Sequence, residues 1–216
     1  MGPEIFLPCQ SRALVVTYSC GENAALPCEG KENAVLRIIA GDARGRKLFS
    51  PDDRSIRPTA DRVKGAVFSM IGAHIPDAVV VDLFAGSGSL GIEALSRGAR
   101  RCYFCDNSAK ARALIEKNLA YCGMTDRAAI LRCDRRAAFD GIGDRPDVVF
   151  LDPPYGCDCY ADCLAAAGAA FGAAAGGIVV AEHSAAHALP ERLCGFVKAK
   201  EKKYGGTGVT VFLYEG

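Results

Sequence analysis

Asp152-Pro153-Pro154-Tyr155 is the tetrapeptide in this chain best equipped for chemistry. It follows Asp147-Val148-Val149-Phe150-Leu151, an apolar run that reads as a buried strand. The strand therefore delivers the tetrapeptide to a cleft at its end. Two consecutive prolines stop the ladder and restrict the backbone around them. They hold a carboxylate, a backbone carbonyl and an aromatic ring in one corner. Those parts suit a planar amino group, which needs acceptors for its N–H bonds and a ring to stack on.

A second apolar run, Val79-Val80-Val81-Asp82-Leu83, enters a glycine loop that continues as Phe84-Ala85-Gly86-Ser87-Gly88-Ser89-Leu90-Gly91. The loop matches G-x-G-x-x-G, a weak signal alone, because many strand-to-helix turns carry such glycines. A nicotinamide dinucleotide site is one reading. Asp82 argues against it, since a carboxylate at the strand end repels a pyrophosphate. It suits a ligand with an ammonium and a sulfonium centre. Asp106 closes the next strand, where an acid commonly grips ribose hydroxyls. Asp134 closes the third and is placed to accept an adenine amino group. Three acids at successive strand ends favour the ligand reading. Together with the proline corner they point to methylation of an exocyclic amine with S-adenosylmethionine.

These residues must be positioned by the elements around them. From residue 76 strands fit 78–83, 101–105, 128–132, 147–151 and 176–181, and helices fit 89–97, 108–121, 135–140 and 159–171. Such alternation predicts a parallel sheet covered on both faces. The end differs: 196–204, a Gly205-Gly206-Thr207-Gly208 turn and 209–214 predict a terminal hairpin. Before residue 76, two short strands are expected at 36–40 and 46–49. A helix is expected over 61–71, with Val63, Val67, Met70 and Ile71 on one face and Thr59 as its cap.

At 216 residues, half of them apolar, one core-forming domain is expected, with or without an appendage. No apolar run approaches the ~18 residues of a membrane span. The net charge of +1 says little, but its distribution says more. Between residues 37 and 64 stand Arg37, Arg44, Arg46, Lys47, Arg54, Arg57, Arg62 and Lys64 against four aspartates, a surplus that suits a polyanion. The eleven cysteines are odd in number and irregular in spacing, which favours reduced thiols over disulfides. Cys102 and Cys105 would point to opposite faces of a strand, and Cys157, Cys159 and Cys163 supply only three ligands, so no metal is expected.

With these motifs in place, the chain resembles the class I methyltransferases. More narrowly, it resembles the bacterial 16S ribosomal RNA guanine-N2 methyltransferases of the guanine-966 type. The resemblance covers about residue 36 to the C-terminus. It is carried by Arg37-Ile38-Ile39-Ala40-Gly41, Arg44-Gly45-Arg46-Lys47-Leu48, the Arg57–Lys64 segment, the Asp82–Gly98 segment and Asp152-Pro153-Pro154-Tyr155. It departs at Gly65, where the family usually carries glutamate. Its first motif residue is Asp152 rather than the asparagine common in DNA and protein-amine relatives.

The resemblance implies a Rossmann-like α/β fold: a mostly parallel seven-stranded sheet, helices on both faces and a C-terminal antiparallel hairpin. Residues 1–34 show no clear apolar period and are expected as a poorly ordered extension without counterpart in the family; the resemblance implies an RNA-contacting strand pair and helix over 35–75 and a catalytic domain over 76–216. Asp152, Pro153, Pro154 and Tyr155 would be catalytic. Asp82, Phe84, Gly86, Gly88, Asp106, Asn107 and Asp134 would hold S-adenosylmethionine. Arg44, Arg46, Lys47, Arg57, Thr59, Arg62 and Lys64 would contact RNA. The expected partner is 16S ribosomal RNA, free or in a small subunit, met by a cytoplasmic monomer. Rival readings are an adenine-N6 or glutamine methyltransferase, a nicotinamide oxidoreductase, and a non-catalytic nucleic-acid-binding module.

Overall fold

Five apolar runs form the parallel part of one sheet: β1 (Val79–Leu83), β2 (Arg101–Cys105), β3 (Ala128–Leu131), β4 (Val148–Leu151) and β5 (Ile178–Ser184). Three more strands extend it in antiparallel fashion: β6 (Arg192–Leu193), β7 (Phe196–Tyr204) and β8 (Thr207–Tyr214). The strand order is β3-β2-β1-β4-β5-β8-β7-β6. Helices α1 (Thr59–Ile71), α2 (Ser89–Ser96), α3 (Ala109–Cys122) and α4 (Tyr160–Phe171) cover the sheet. The structure is a computed structural model and describes residues 36–50, 59–132, 139–154 and 156–216, without the side chains of Thr59 and Ala60.

Every residue of β1 and β4 is buried, as strands sandwiched between helices must be. Alternation sorts their side chains into two cores. Val80, Phe104 and Phe150 pack with Val67 and Phe68 of α1, Ile92 and Leu95 of α2 and Ile115 and Leu119 of α3. Val81, Tyr103 and Val149 pack on the opposite face with Cys163, Leu164 and Phe171 of α4. Cys102 and Cys105 fall into these opposite cores, and none of the seven cysteines among the described residues forms a disulfide.

The expected alternation of strands and helices is present, with four differences. The sheet has eight strands rather than seven, because Arg192 and Leu193 add a two-residue edge beside β7. The terminal turn is shorter than expected: Tyr204 pairs with Thr207, leaving Gly205 and Gly206 as a two-residue loop with Gly205 at φ 60. The segments 36–40 and 46–49 form a single bridge, Arg37 to Lys47, rather than two strands. Ile38 and Leu48 N–H donate across it to the Arg46 and Leu36 carbonyls, at 3.0 and 2.7 Å, while side chains of α2 and α3 take other amides. Glu93 accepts from Ile39 and Ala40 N–H at 2.7 and 3.0 Å, and Asn118 accepts from Phe49 N–H at 2.8 Å. Finally, α1 begins at Thr59, so Thr59 lies in its first turn rather than ahead of it. The expected extension 1–34 and most of the expected helix 135–140 lie outside the described residues; Phe139 and Asp140 form a turn.

The hairpin-like segment 36–49 is an arm clamped to α2. Ser96 Oγ donates to the Ala40 carbonyl at 2.7 Å and accepts from Ala43 N–H at 3.0 Å. Gly41 has φ 84, and a Cβ there would collide with the Ser96 carbonyl, so only glycine fits. No helix among the described residues is long and apolar enough to cross a membrane.

Candidate active site

The glycine loop is shaped by backbone that most residues avoid. Phe84 has φ 70, Gly86 φ 55 and Gly88 φ 77. A phenylalanine held at positive φ costs on the order of 1 kcal/mol or more, and such strain gathers at ligand clamps. Two bonds fix it: Phe84 and Ala85 N–H both donate to the Cys105 carbonyl, at 3.1 and 3.0 Å. Gly91 serves packing, since a Cβ there would collide with the Phe104 ring and the Cys102 sulfur. Asp106 joins the loop to the next unit. Its Oδ2 accepts from Gly86 N–H at 2.9 Å and its Oδ1 from Ser108 N–H at 2.8 Å, just ahead of α3. Asn107 beside it is exposed.

The loop opens on a cavity of about 220 Å³. Three carboxyls enter its wall from the C-terminal ends of three adjacent strands: Asp82 from β1, Asp152 after β4 and Glu182 from β5. The chain reverses direction across the sheet between β1 and β4, the place where open α/β sheets bind ligands. Asp82 is 2% exposed, and its Oδ2 accepts from Gly91 N–H at 2.9 Å. Burial raises its pKa to about 7, and the nearby Asp152 and Asp106 add to the rise against the Gly91 bond. Burial likewise raises Asp152 to about 6. Its side chain opens onto the concave wall of the cavity. Burial and then Asp152 raise Glu182 to about 8.

Lys64 is the only cation in this wall among the described residues. It is 4% exposed, so it is not among the surface bases where the sequence reading put it. Its Nζ donates to the Arg37 carbonyl at 2.6 Å and to Ser89 Oγ at 2.9 Å, and lies 3.7 Å from Glu93 Oε2. Burial lowers its pKa, with Glu93 and Asp61 opposing. Its charge is thus committed to Glu93, and the cavity is left with an excess of carboxyls. Such a wall fits a cation and disfavours a pyrophosphate.

The proline corner joins this space through Asp152, which lies in its wall. Pro153 is buried, and no described donor takes its carbonyl. Cys157 N–H donates to the Pro154 carbonyl at 3.1 Å, closing a turn. Tyr155 lies outside the described residues, as do Asp134 and Arg57 and the side chain of Thr59. Tyr160 at the start of α4 donates its hydroxyl to the Glu182 carbonyl at 2.9 Å, which steadies the end of β5. Cys159 lies beside Cys157 and Cys163, and burial pushes its thiol up. No group of metal-ligating side chains occurs among the described residues.

Arg44, Arg46 and Lys47 are exposed on the arm, and Arg62 is exposed on α1. Arg46 also donates to the Tyr121 carbonyl at 3.1 Å, near the C-terminus of α3. The structure therefore gathers Asp82, Phe84, Gly86 and Asp152 around one cavity, with Asp106 bonded to the loop that lines it. It keeps the arm bases on an outer surface. The sequence reading missed Glu182 because it ended the strand at residue 181, although a strand-end acid was the signal it used for Asp82 and Asp106. It missed the inward turn of Lys64, which the spacing to Val67 and Ile71 could have indicated.

Known proteins are similar to this chain in sequence and fold. Residues 36–213 match the family described as conserved hypothetical protein 95. Ribosomal RNA small subunit methyltransferase D of Escherichia coli is 38% identical over 180 residues, 83% of this chain and 90% of that protein. YlbH of Bacillus subtilis, described as a candidate rRNA methyltransferase, is 37% identical over 184 residues, 84% of this chain and all of that protein. The solved structure of YhhF, a candidate methyltransferase from Escherichia coli, superposes with a TM-score of 0.72 at 28% identity, covering 84% of this chain and 99% of that one. The chain belongs to the conserved hypothetical protein 95 family.

Proposed function

We propose that this chain transfers a methyl group from S-adenosylmethionine to the exocyclic N2 of a guanine in 16S ribosomal RNA. The observation that carries this reading is the convergence of Asp82, Asp152 and Glu182 on the glycine-loop cavity. The relatives are named for small-subunit ribosomal RNA methylation, which supports the substrate class. When bound, the cofactor supplies an electrophilic methyl on a sulfonium sulfur. Asp82 and the loop would hold its cationic portion, and Asp106 its ribose.

The chain's own residues do the rest. The guanine amine is a poor nucleophile because its lone pair is delocalised into the ring. Asp152 and the Pro153 carbonyl would accept its two N–H bonds, orienting the nitrogen and favouring the charge that develops there. Tyr155 would stack on the base. Reaching the corner requires the base to leave its stack, at a cost of a few kcal/mol. Bases on the arm would offset that cost through phosphate contacts. The protein works in the cytoplasm, as a monomer, on RNA free or within the small subunit. Nucleoside mass spectrometry of ribosomal RNA from cells with and without the gene tests the reading. Loss of N2-methylguanosine from 16S RNA is expected; loss of N6-methyladenosine instead would replace guanine with adenine.

The raised carboxyl pKa values give a pH signature. Protonated carboxyls do not attract a cation, so affinity for S-adenosylmethionine should climb between about pH 5 and about pH 8.5, with protons released on binding. S-adenosylhomocysteine lacks the sulfonium charge and should climb less. Without ligand the sign reverses. The folded chain holds protons that unfolded carboxyls have shed, so these groups lower stability as pH rises from about 4 towards about 8. Calorimetry in buffers of different ionisation enthalpy reads the proton count, and a flat affinity over this range would remove the carboxyls from cofactor binding.

The arm makes a separate claim. Replacing Arg46 and Lys47 with alanine should weaken RNA binding and reduce its salt slope by up to about two phosphate contacts. Cofactor affinity should hold. An unaltered slope would move the RNA site away from the arm.

A further inference from the structure

We propose that the open edge of β7, through Lys200 and Lys202, is a second phosphate rail for the same RNA. The inference rests on the RNA reading above. β7 carries four lysines and one acid between residues 198 and 203. Lys198 is neutralised, 2.8 Å from Glu201 and 3.1 Å from Glu191. Lys200 and Lys202 are exposed, and neither forms an ion pair with an acid among the described residues. β6 pairs only with Phe196 and Val197, so no described strand covers the outer edge of β7 beyond them.

Their position gives these charges meaning. A register shift between Lys198 and Lys200 marks a bulge in β7. Before it, Lys198 stands opposite Phe212, whose side chain packs in the α4 core. After it, Lys200 stands opposite Val211 and Lys202 opposite Val209, both in the core shared with α1. Without the extra residue, strand alternation would keep all three lysines on one face. The bulge therefore moves Lys200 and Lys202 to the face that holds the cavity, a use of bulges common beside active sites.

The row across the sheet is Glu182, Val209, Lys202. Two strand spacings separate Lys202 from Glu182, about 10 Å between backbones. That matches the distance from a base in the cavity to phosphates of flanking nucleotides on the order of one or two residues away. Charge complementarity thus selects one occupant, the single-stranded RNA segment beside the target base. The rail and the arm would then grip the strand at separate points.

The test compares full-length protein with a K200Q/K202Q variant and a K200R/K202R variant. Glutamine keeps the edge polar, and arginine keeps the charge. The probe is protein-free 16S ribosomal RNA from cells lacking the gene, titrated over about 50–300 mM salt. The glutamine variant should lose about two units of salt slope and on the order of ten-fold affinity at low salt, with S-adenosylhomocysteine binding unchanged. The arginine variant should recover both. An unchanged slope in the glutamine variant overturns the rail. If that variant also self-associates in sedimentation, the lysines guard an open edge instead. Absence of salt-dependent RNA binding by the unmodified protein would overturn the RNA reading, and the rail with it.

Discussion

Asp152→Ala should abolish most methyl transfer while leaving the protein folded. The carboxyl sits past the end of β4 and faces the cavity rather than either core. Removing one preorganised acceptor in an electrostatic site typically costs about 2.7–4 kcal/mol of barrier, or two to three orders of magnitude in rate. Cofactor affinity should fall far less, because Asp82 and the loop remain. Asp152→Asn separates charge from geometry. It keeps an acceptor oxygen, so partial turnover is expected from Asn and almost none from Ala. The measurement is single-turnover transfer to 16S RNA at saturating cofactor. Near-native turnover in both variants would rule out Asp152 as the group that positions the amine.

Glu93→Ala should be the most damaging single change outside the cavity. Glu93 is fully buried. It accepts from two arm amides and from Arg97 Nε at 2.7 Å, and it faces Lys64. Alanine would strand those donors and leave the Lys64 ammonium buried without its anion. Breaking a buried pair this way costs about 3–5 kcal/mol. For a chain of this length that is roughly 10 °C or more in melting temperature. RNA affinity should fall with it, because the arm loses one of its anchors on α2. Thermal melts followed by circular dichroism read the first effect and filter binding the second. A change below about 1 kcal/mol would show that the Ser96 and Asn118 bonds and the apolar contacts hold the arm without Glu93.

Much of this architecture was legible in the chain because it is written locally. β2 was delimited at Arg101 and Cys105, since an apolar run bounded by Arg100 and Asp106 has few alternatives. The acids at the ends of β1 and β2 and after β4 were legible for the same reason. What escaped depends on partners far away. The arm was expected as two short strands, yet it forms a single bridge, and the amides of Ile39, Ala40 and Phe49 go to side chains 53 to 69 residues distant. The basic segment read as one surface for a polyanion, yet α1 turns Lys64 inward while Arg62 stays exposed. The bulge in β7 was invisible because register belongs to a pair of strands, not to one.

The strand order also bears on how the chain is made. β1, β2 and β3 leave the ribosome as a contiguous block with α2 and α3. The other edge of β1 must wait for β4, and the bond from Val79 N–H to Asp147 there spans 68 residues. Until then an apolar strand with an open edge is exposed to pairing with other nascent chains. Cofactor offers little protection at that stage, because only Asp82 of the three carboxyls has been synthesised. The open edge of β1 is covered when β4 has emerged, but β5 then presents its own edge until β8 is made, so slow translation between β3 and β4 or between β5 and β8 should reduce yield.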